Sequence, residues 1–178
     1  MRFLLLSFLR LVNWPGAQLR SRPAERKVES SLAVPYELSA AELVARFIYS
    51  ERRINKRLAK PTPDAFYPPP DNELSVVHST GLPDRDVWAI GRMHTLGTQS
   101  GRDAIHGRAD VPVNALIERR LRAIRDDNPF ERHTKVVGWP EPSNPDERKQ
   151  QRKLICLELS QDLSVKLIIP DSPIIRSA

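Results

Sequence analysis

Apolar residues spaced three and four positions apart follow a helix-start signal in the first organised segment of the chain. Ser39 and Glu42 form a capping box, in which the serine hydroxyl and the glutamate carboxylate each accept a hydrogen bond from a free backbone N–H group. The apolar residues behind the box share one helical face: Leu43, Val44, Phe47, Ile48 and Ile54. Such spacing is typical of an amphipathic helix, and it predicts a first helix over residues 40–57.

Alternating apolar and polar positions predict short strands between further helices. The predicted strands span residues 73–80, 103–111, 134–139 and 165–169. The further helices are predicted to begin at Pro83, Pro112 and Asn144. The helix from Pro112 is predicted to continue through residue 125, because its apolar positions recur as far as Ile124. The helix from Asn144 starts with an asparagine cap followed by a first-turn proline and ends near residue 162, which makes it a strong helix signal.

These elements together predict an α+β fold, with a small mixed sheet of three to four strands covered by helices largely on one face. Residues 61–71 form a predicted proline-rich loop, because proline excludes both a helix interior and a central strand. The predicted organisation is a flexible basic extension over 1–35, a single α+β domain over 36–170 and a C-terminal tail over 171–178.

The charge of the chain is concentrated at its N-terminal end. The formal net charge is +6, and residues 1–35 carry four of these charges, with six basic and two acidic side chains. The nearly balanced remainder argues against phosphate binding over a wide surface. The apolar run over residues 3–9 is far shorter than the roughly 20 residues that span a membrane, so we predict no transmembrane span. A weak membrane-surface anchor is the alternative to a flexible extension for residues 1–35.

Five basic side chains close the predicted first helix: Arg52, Arg53, Lys56, Arg57 and Lys60. Cations at a helix C-terminus are stabilised by the helix dipole, which is one interpretation of this cluster. The other interpretation is a patch that contacts phosphates, and it predicts nucleic-acid binding at the end of the helix.

Histidines hold most of the remaining candidate chemistry, because the sequence has no Walker A, GxGxxG, HExxH, GxSxG or CxxC motif. The run His78-Ser79-Thr80 resembles one half of the signature of the two-histidine phosphoesterases and is similar to the histidine strand of ADP-ribosyltransferases. The first resemblance implies that His78 acts as general acid or base and that the Thr80 hydroxyl holds phosphate. The chain has no second such motif, and a partly buried strand histidine is the alternative.

Three other groups of residues allow more than one interpretation. His106, Asp110 and His133 would bind a metal if the fold brought them together, but they stand in different elements, and we predict no metal and no cofactor. Arg108 and Asp110 are expected to tie their strand to the following helix. The single cysteine, Cys156, is predicted to be a small buried hydrophobe, with a catalytic thiol as the alternative.

Four segments resemble a group of small uncharacterised bacterial proteins: FYPPPD at 66–71, ELSV at 73–76, GRAD at 107–110 and VGWP at 137–140. The likeness covers roughly residues 36–163 and implies no activity and no catalytic residue. It implies a bacterial accessory protein with a cytoplasmic location. The sequence has no complete catalytic constellation and has a proline-rich surface segment, so the leading expectation is a non-enzymatic accessory or interaction protein with a protein partner. Nucleic-acid binding through the basic helix end and phosphoester hydrolysis by His78 and Thr80 are the alternatives.

Overall fold

The computed structural model describes residues 34–96 and 102–175, and within them the chain forms eleven strands and three α-helices. In chain order these are β1 (Tyr36–Glu37), β2 (Leu43–Ile48), β3 (Ile54–Asn55), β4 (Lys60–Pro61), β5 (Leu74–His78), α1 (Asp84–His94), β6 (Ala104–Ile105), β7 (Gly107–Pro112), α2 (Val113–Ile117), β8 (Arg122–Arg125), β9 (His133–Val137), α3 (Pro145–Gln161), β10 (Lys166–Ile168) and β11 (Ile174–Ile175). Most of the predicted N-terminal extension lies outside the described residues. The predicted C-terminal tail includes β11, which pairs with β6.

Seven of these strands form one antiparallel sheet in the order β1-β8-β9-β5-β2-β7-β10. The predicted small mixed sheet of three to four strands, covered by helices, is therefore wrong. Strand β2 lies inside the sheet, where Val44 pairs with His78 of β5 and with Val111 of β7. Two further two-stranded pairs, β3-β4 and β6-β11, stand apart from the sheet.

The predicted first helix over residues 40–57 is wrong because its apolar run is buried on both faces of the sheet. All residues from Val44 to Ile48 are buried in β2, and a short, continuously apolar run fits a buried strand as well as a helix. The capping-box residues make a turn instead. The Ser39 N–H donates to the Glu42 carboxylate at 2.5 Å, and the Glu42 N–H donates back to the Ser39 carbonyl at 3.1 Å.

The predicted helix that begins at Pro112 ends earlier than its apolar spacing indicates. Helix α2 stops at Ile117, and Arg120 adopts a left-handed backbone with φ of 60°. The N–H of Leu121 then donates to the Leu116 carbonyl at 2.9 Å, which closes a Schellman-type cap. The residues predicted as the rest of that helix instead form β8.

The other two predicted helix starts are confirmed. Helix α1 begins directly after Pro83, and α3 begins at Pro145. The Asn144 side chain accepts hydrogen bonds from the N–H groups of Asp146 and Glu147 at 2.9 and 3.4 Å. These signals act within one helical turn, so the rest of the fold does not change their meaning.

The helices lie on both faces of the sheet. Cys156 and Leu159 of α3 belong to the larger core on one face. Val87 of α1 packs with Ala45 and Phe47 of β2 in a second cluster on the other face. None of the helices in the described ranges has the length and apolar character needed to cross a membrane.

Cys156 is a buried core residue, as predicted. Burial raises the pKa of its thiol to about 12, so the sulfur stays protonated and is a poor nucleophile.

Candidate functional site

The hairpin between β8 and β9 places Asp126 directly opposite His133. The Asp126 N–H donates to the His133 carbonyl at 3.1 Å, and the His133 Nδ1 lies 2.6 Å from the Asp126 Oδ1. A carboxylate at this distance accepts a hydrogen bond, so we assign the ring proton to Nδ1. The Nε2 atom of His133 therefore carries a lone pair.

Pairing between β5 and β9 brings a serine to that lone pair. Val77 pairs with His133 and Ser75 pairs with Lys135, so Ser75 and His133 share one face of the sheet. The Ser75 Oγ lies 2.9 Å from the His133 Nε2. Ser75, His133 and Asp126 thus form a continuous hydrogen-bonded chain. The three side chains contact one another in the same sequence as in a serine–histidine–aspartate triad.

The carboxylate of this chain is stabilised in its ionised form. Burial raises the pKa of Asp126, but the hydrogen bond and charge of His133, the Asn128 N–H and Lys135 together hold it below its usual value. The Lys135 Nζ lies 3.3 Å from the Asp126 Oδ2. An ionised Asp126 holds the His133 ring in one orientation and one tautomer.

A pocket of about 290 Å³ opens beside these residues. Ser75 and His133 line it, and Phe130 and His94 form an aromatic wall. The rings of His94 and Phe130 are stacked with centroids 4.7 Å apart, and Phe130 meets His133 edge-on at 5.2 Å. Ser75 and His133 therefore face a space that can hold a small molecule.

Arg46 forms another part of the pocket wall and is a buried cation. Its Nε donates to the Ala65 carbonyl at 3.2 Å and its Nη1 donates to the Ser75 carbonyl at 2.7 Å. Strands β2 and β5 pair only at Val44–His78 and Ala45–Val77, and the guanidinium bridges them beyond that point. Burial lowers the pKa of Arg46 to about 10, so the group remains charged at neutral pH.

His78 and Thr80 lie near each other along the chain but bind different partners. The His78 Nε2 lies 3.0 Å from the Glu42 Oε1, and its Nδ1 lies 3.2 Å from the Arg125 Nη1. The Thr80 Oγ1 accepts a hydrogen bond from the Leu43 N–H at 2.7 Å. A charged side chain thus lies beside each ring nitrogen of His78, although the Nε2 contact with Glu42 lacks hydrogen-bond geometry. The Thr80 hydroxyl holds the start of β2.

The five predicted nucleic-acid-binding residues do not lie on a helix end, because that helix does not form. They lie on the 3₁₀ turn Glu51–Arg53 and the β3-β4 hairpin. Lys56 is 2.9 Å from the Glu51 carboxylate, and the Lys60 Nζ donates to the Asp162 carbonyl at 2.5 Å. Arg52 and Arg57 are exposed and Arg53 is half-buried.

The fold separates the three residues considered as metal ligands. The His106 Nδ1 lies 3.6 Å from the Glu51 Oε1, Asp110 accepts from Arg108 at 2.9 and 3.0 Å, and His133 belongs to the chain with Ser75. Within residues 34–96 and 102–175, no cluster of three or more histidine, cysteine, aspartate or glutamate side chains could hold a metal ion.

The predicted contact between Arg108 and Asp110 is confirmed, but its structural role differs from the prediction. Arg108 also donates to the Asp84 carboxylate at the start of α1, and its guanidinium lies 4.8 Å from the Trp88 ring centroid. The pair therefore ties β7 to α1, which precedes it in the chain, and not to the helix that follows.

Sequence reasoning missed Ser75 and Asp126. A local signal for Asp126 existed: the Asp-Asp-Asn-Pro turn residues over 126–129 separate two apolar runs, which is typical of a hairpin. Assigning residues 122–125 to a helix hid that signal. Ser75 offered no local signal, because its contact with His133 depends on the pairing of β5 with β9.

Comparison of the chain with protein-family models, with curated proteins and with solved structures found no match. The resemblance of residues 66–71, 73–76, 107–110 and 137–140 to small bacterial proteins therefore stays a prediction. Function must be inferred from the geometry of the described side chains.

Proposed function

We propose that the protein is a serine hydrolase that cleaves small carboxylic esters, with Ser75 as nucleophile, His133 as general base and Asp126 as the residue that orients the imidazole. One observation carries this proposal. The atoms Ser75 Oγ, His133 Nε2, His133 Nδ1 and Asp126 Oδ1 form one chain with contacts of 2.9 and 2.6 Å, and Ser75 and His133 of this chain line a pocket.

Each residue has a defined role in the proposed reaction. The His133 Nε2 accepts the Ser75 hydroxyl proton as the Oγ attacks the ester carbonyl carbon. The same proton passes to the departing alkoxide when the ester C–O bond breaks, which leaves an acyl group on Ser75. Water then attacks this acyl group with His133 again as the base, releasing the carboxylic acid and restoring the serine. Asp126 stays ionised and stabilises the imidazolium that forms.

A fluorophosphonate probe tests the nucleophile directly, because it bonds to an activated serine Oγ with loss of fluoride. We expect the probe to label the wild-type protein at Ser75 and expect the label to disappear in Ser75→Ala. Hydrolysis of 4-nitrophenyl acetate should fall by about 10³-fold or more in the same variant.

Ser79→Ala is the matched control for this experiment. Ser79 follows β5, is buried, and its Oγ has no hydrogen-bond partner among the described residues. We expect this variant to be labelled like the wild type. A wild-type protein that is neither labelled nor active on short esters, or labelling that survives Ser75→Ala, would contradict the proposal.

The other functions predicted from the sequence stay predictions. These are the accessory role with a protein partner, nucleic-acid binding through the basic residues of the β3-β4 region, and phosphoester hydrolysis by His78 and Thr80. The cytoplasmic location also stays a prediction. The hydrolase proposal differs from all three because a nucleophile, a base and a pocket support it together.

A further inference from the structure

The second oxygen of the Asp126 carboxylate faces a lysine of β9. The Asp126 Oδ1 contacts the His133 Nδ1 at 2.6 Å, whereas the Oδ2 lies 3.3 Å from the Lys135 Nζ. The Asp126 side chain is only 13% exposed, so water screens these contacts less than it would on the open surface. The carboxylate is therefore held at both of its oxygens, and it cannot rotate without losing one of the two contacts.

Lys135 is fixed in turn by a residue of the pocket wall. Its Nζ lies 2.8 Å from the Glu73 Oε2, and Glu73 lines the same pocket as Ser75. The Glu73 N–H donates to the Asp71 Oδ1 at 3.1 Å, which holds the backbone just before β5. The Lys135 ammonium group has three N–H donors, and it uses them to bridge the carboxylates on its two sides.

The pairing of β5 with β9 places this ammonium group beside the proposed nucleophile. Ser75 pairs directly with Lys135. Glu73 lies two residues before Ser75, and His133 lies two residues before Lys135. Side chains two residues apart on a strand share a face, so all four lie on one face of the sheet. The chain of contacts that begins at Ser75 thus continues past Asp126 to Lys135 and returns to the pocket at Glu73.

We propose that Lys135 is a positioning residue for the hydrolase reaction, because it holds the Asp126 carboxylate in the orientation that meets His133. Glu73 anchors the lysine in this role. The inference rests on the proposed hydrolase function. Lys135 is not among the described residues that line the pocket, so it acts on the reaction through Asp126 and not on the substrate. Its loss frees the Asp126 Oδ2, and a carboxylate that rotates no longer fixes the imidazole against Ser75.

Variants of Lys135 in the full chain test the inference by kinetics. We expect Lys135→Met to lower kcat for 4-nitrophenyl acetate by about tenfold or more while KM stays within about twofold of the wild type. Lys135→Arg should recover most of the loss, because a guanidinium keeps the charge and donates to carboxylates. Lys153→Met is the matched control, since Lys153 is exposed on α3, and its kcat should equal that of the wild type. Urea unfolding of each variant shows whether a loss of activity comes from a loss of folded protein.

A double-variant cycle tests the role of Glu73. We expect Glu73→Gln alone to lower kcat, and we expect the same change in Lys135→Met to cause little further loss, because Glu73 acts through the lysine. Two losses that multiply in the double variant would overturn the role of Glu73 as the anchor of Lys135.

An NMR measurement separates this inference from the hydrolase proposal. The proton that His133 Nδ1 shares with a carboxylate gives a downfield imidazole N–H signal in protein with isotope-labelled histidine, and Asp126→Asn identifies that signal by its loss. We expect Lys135→Met to move the signal and Lys135→Arg to restore it. A moved signal in a protein that cleaves no ester would reject the hydrolase function and support the positioning of Asp126 by Lys135. An unchanged signal, or an unchanged kcat in a protein that cleaves the ester, would overturn the inference, and ester cleavage by the wild type would still support the hydrolase.

Discussion

Two histidines lie on neighbouring strands of the sheet, His78 on β5 and His133 on β9. Each has a carboxylate next to one of its ring nitrogens. The distances are 3.0 Å to Glu42 and 2.6 Å to Asp126. The two sites differ in the group that contacts the second ring nitrogen. At His78 it meets the Arg125 guanidinium at 3.2 Å, and at His133 it meets the Ser75 hydroxyl at 2.9 Å.

A histidine paired with an acid becomes a useful base only when its other nitrogen faces a proton that can be transferred. A guanidinium keeps its protons at neutral pH, so the contact with Arg125 anchors the His78 ring. A serine hydroxyl can lose its proton to a histidine while it attacks a substrate. The pocket beside Ser75 leaves room for that substrate.

The two histidine sites lie on opposite faces of the sheet and meet in the loop between β8 and β9. His133 pairs with Val77, so the adjacent His78 points to the other face. Asp126 binds His133, and the next residue, Asp127, accepts from the Arg125 Nε at 2.8 Å. The loop therefore connects both sites, and variants can separate their roles.

The largest expected effect is on catalysis at the His133 site. Asp126→Asn replaces the acceptor at Nδ1 by an amide that can donate, which favours the wrong tautomer of His133. We expect ester hydrolysis to fall by about 10³- to 10⁴-fold, measured as kcat with 4-nitrophenyl acetate. Glu42→Gln, the corresponding change at His78, should leave kcat within about twofold of the wild type. Equal losses in the two variants would remove the distinction between the sites.

The next effect is on stability at the His78 site. His78→Ala removes the ring between Glu42 and Arg125 and leaves both partly buried charges without this contact. We expect the free energy of unfolding in urea to fall by about 1–3 kcal/mol while ester hydrolysis is retained. Ser75→Ala is the comparison variant and should cost at most about 1 kcal/mol. A His78→Ala protein that keeps its normal stability but loses ester hydrolysis would contradict this prediction, because it would show that catalysis depends on His78.

A smaller effect is expected at Thr80, next to the His78 site. Thr80→Val removes the hydroxyl that accepts from the Leu43 N–H and should lower the free energy of unfolding by about 1 kcal/mol. The same variant examines the alternative phosphoester hydrolase. If the wild type cleaves bis-4-nitrophenyl phosphate and Thr80→Val does not, the His78 and Thr80 hypothesis is supported over a purely structural role.

The smallest expected effect is a pH dependence of stability that comes from His78. Burial lowers the pKa of His78, and Arg125 and Arg132 lower it further, while Glu42 partly opposes them. The unfolded chain therefore binds the proton more tightly than the folded protein. This contribution to stability is fully present above about pH 6.5 and is lost as the pH falls through the lower, folded pKa.

Urea unfolding at pH 8 and at mildly acidic pH measures this dependence. We expect the wild type to lose more stability than His78→Gln between the two conditions, since the variant lacks the titrating ring. A wild type whose stability rises on acidification relative to His78→Gln would show that the protonated ring is favoured in the fold, contrary to its contacts with Arg125 and Arg132.

Parts of the fold follow from short-range signals, and parts do not. The start of α3 at Pro145 and the strand character of β5 were predictable, because a cap and an alternating run act within a few residues. The run over residues 43–48 was not, since its apolar spacing satisfies a helix and a strand that is buried on both faces. Only the pairing of this run with β5 and β7 decides that it forms a strand and not a helix.

The sequence by itself determined local features of this protein: the starts of α1, α2 and α3, the proline-rich connection and the buried character of Cys156. Only the tertiary structure decided the sheet order and the candidate site. The contact between Asp126 and His133 spans 7 residues and lies within reach of a hairpin prediction, but the contact between Ser75 and His133 spans 58 residues. That contact exists because β5 pairs with β9 in one register, and a shift of one residue would send Ser75 to the other face.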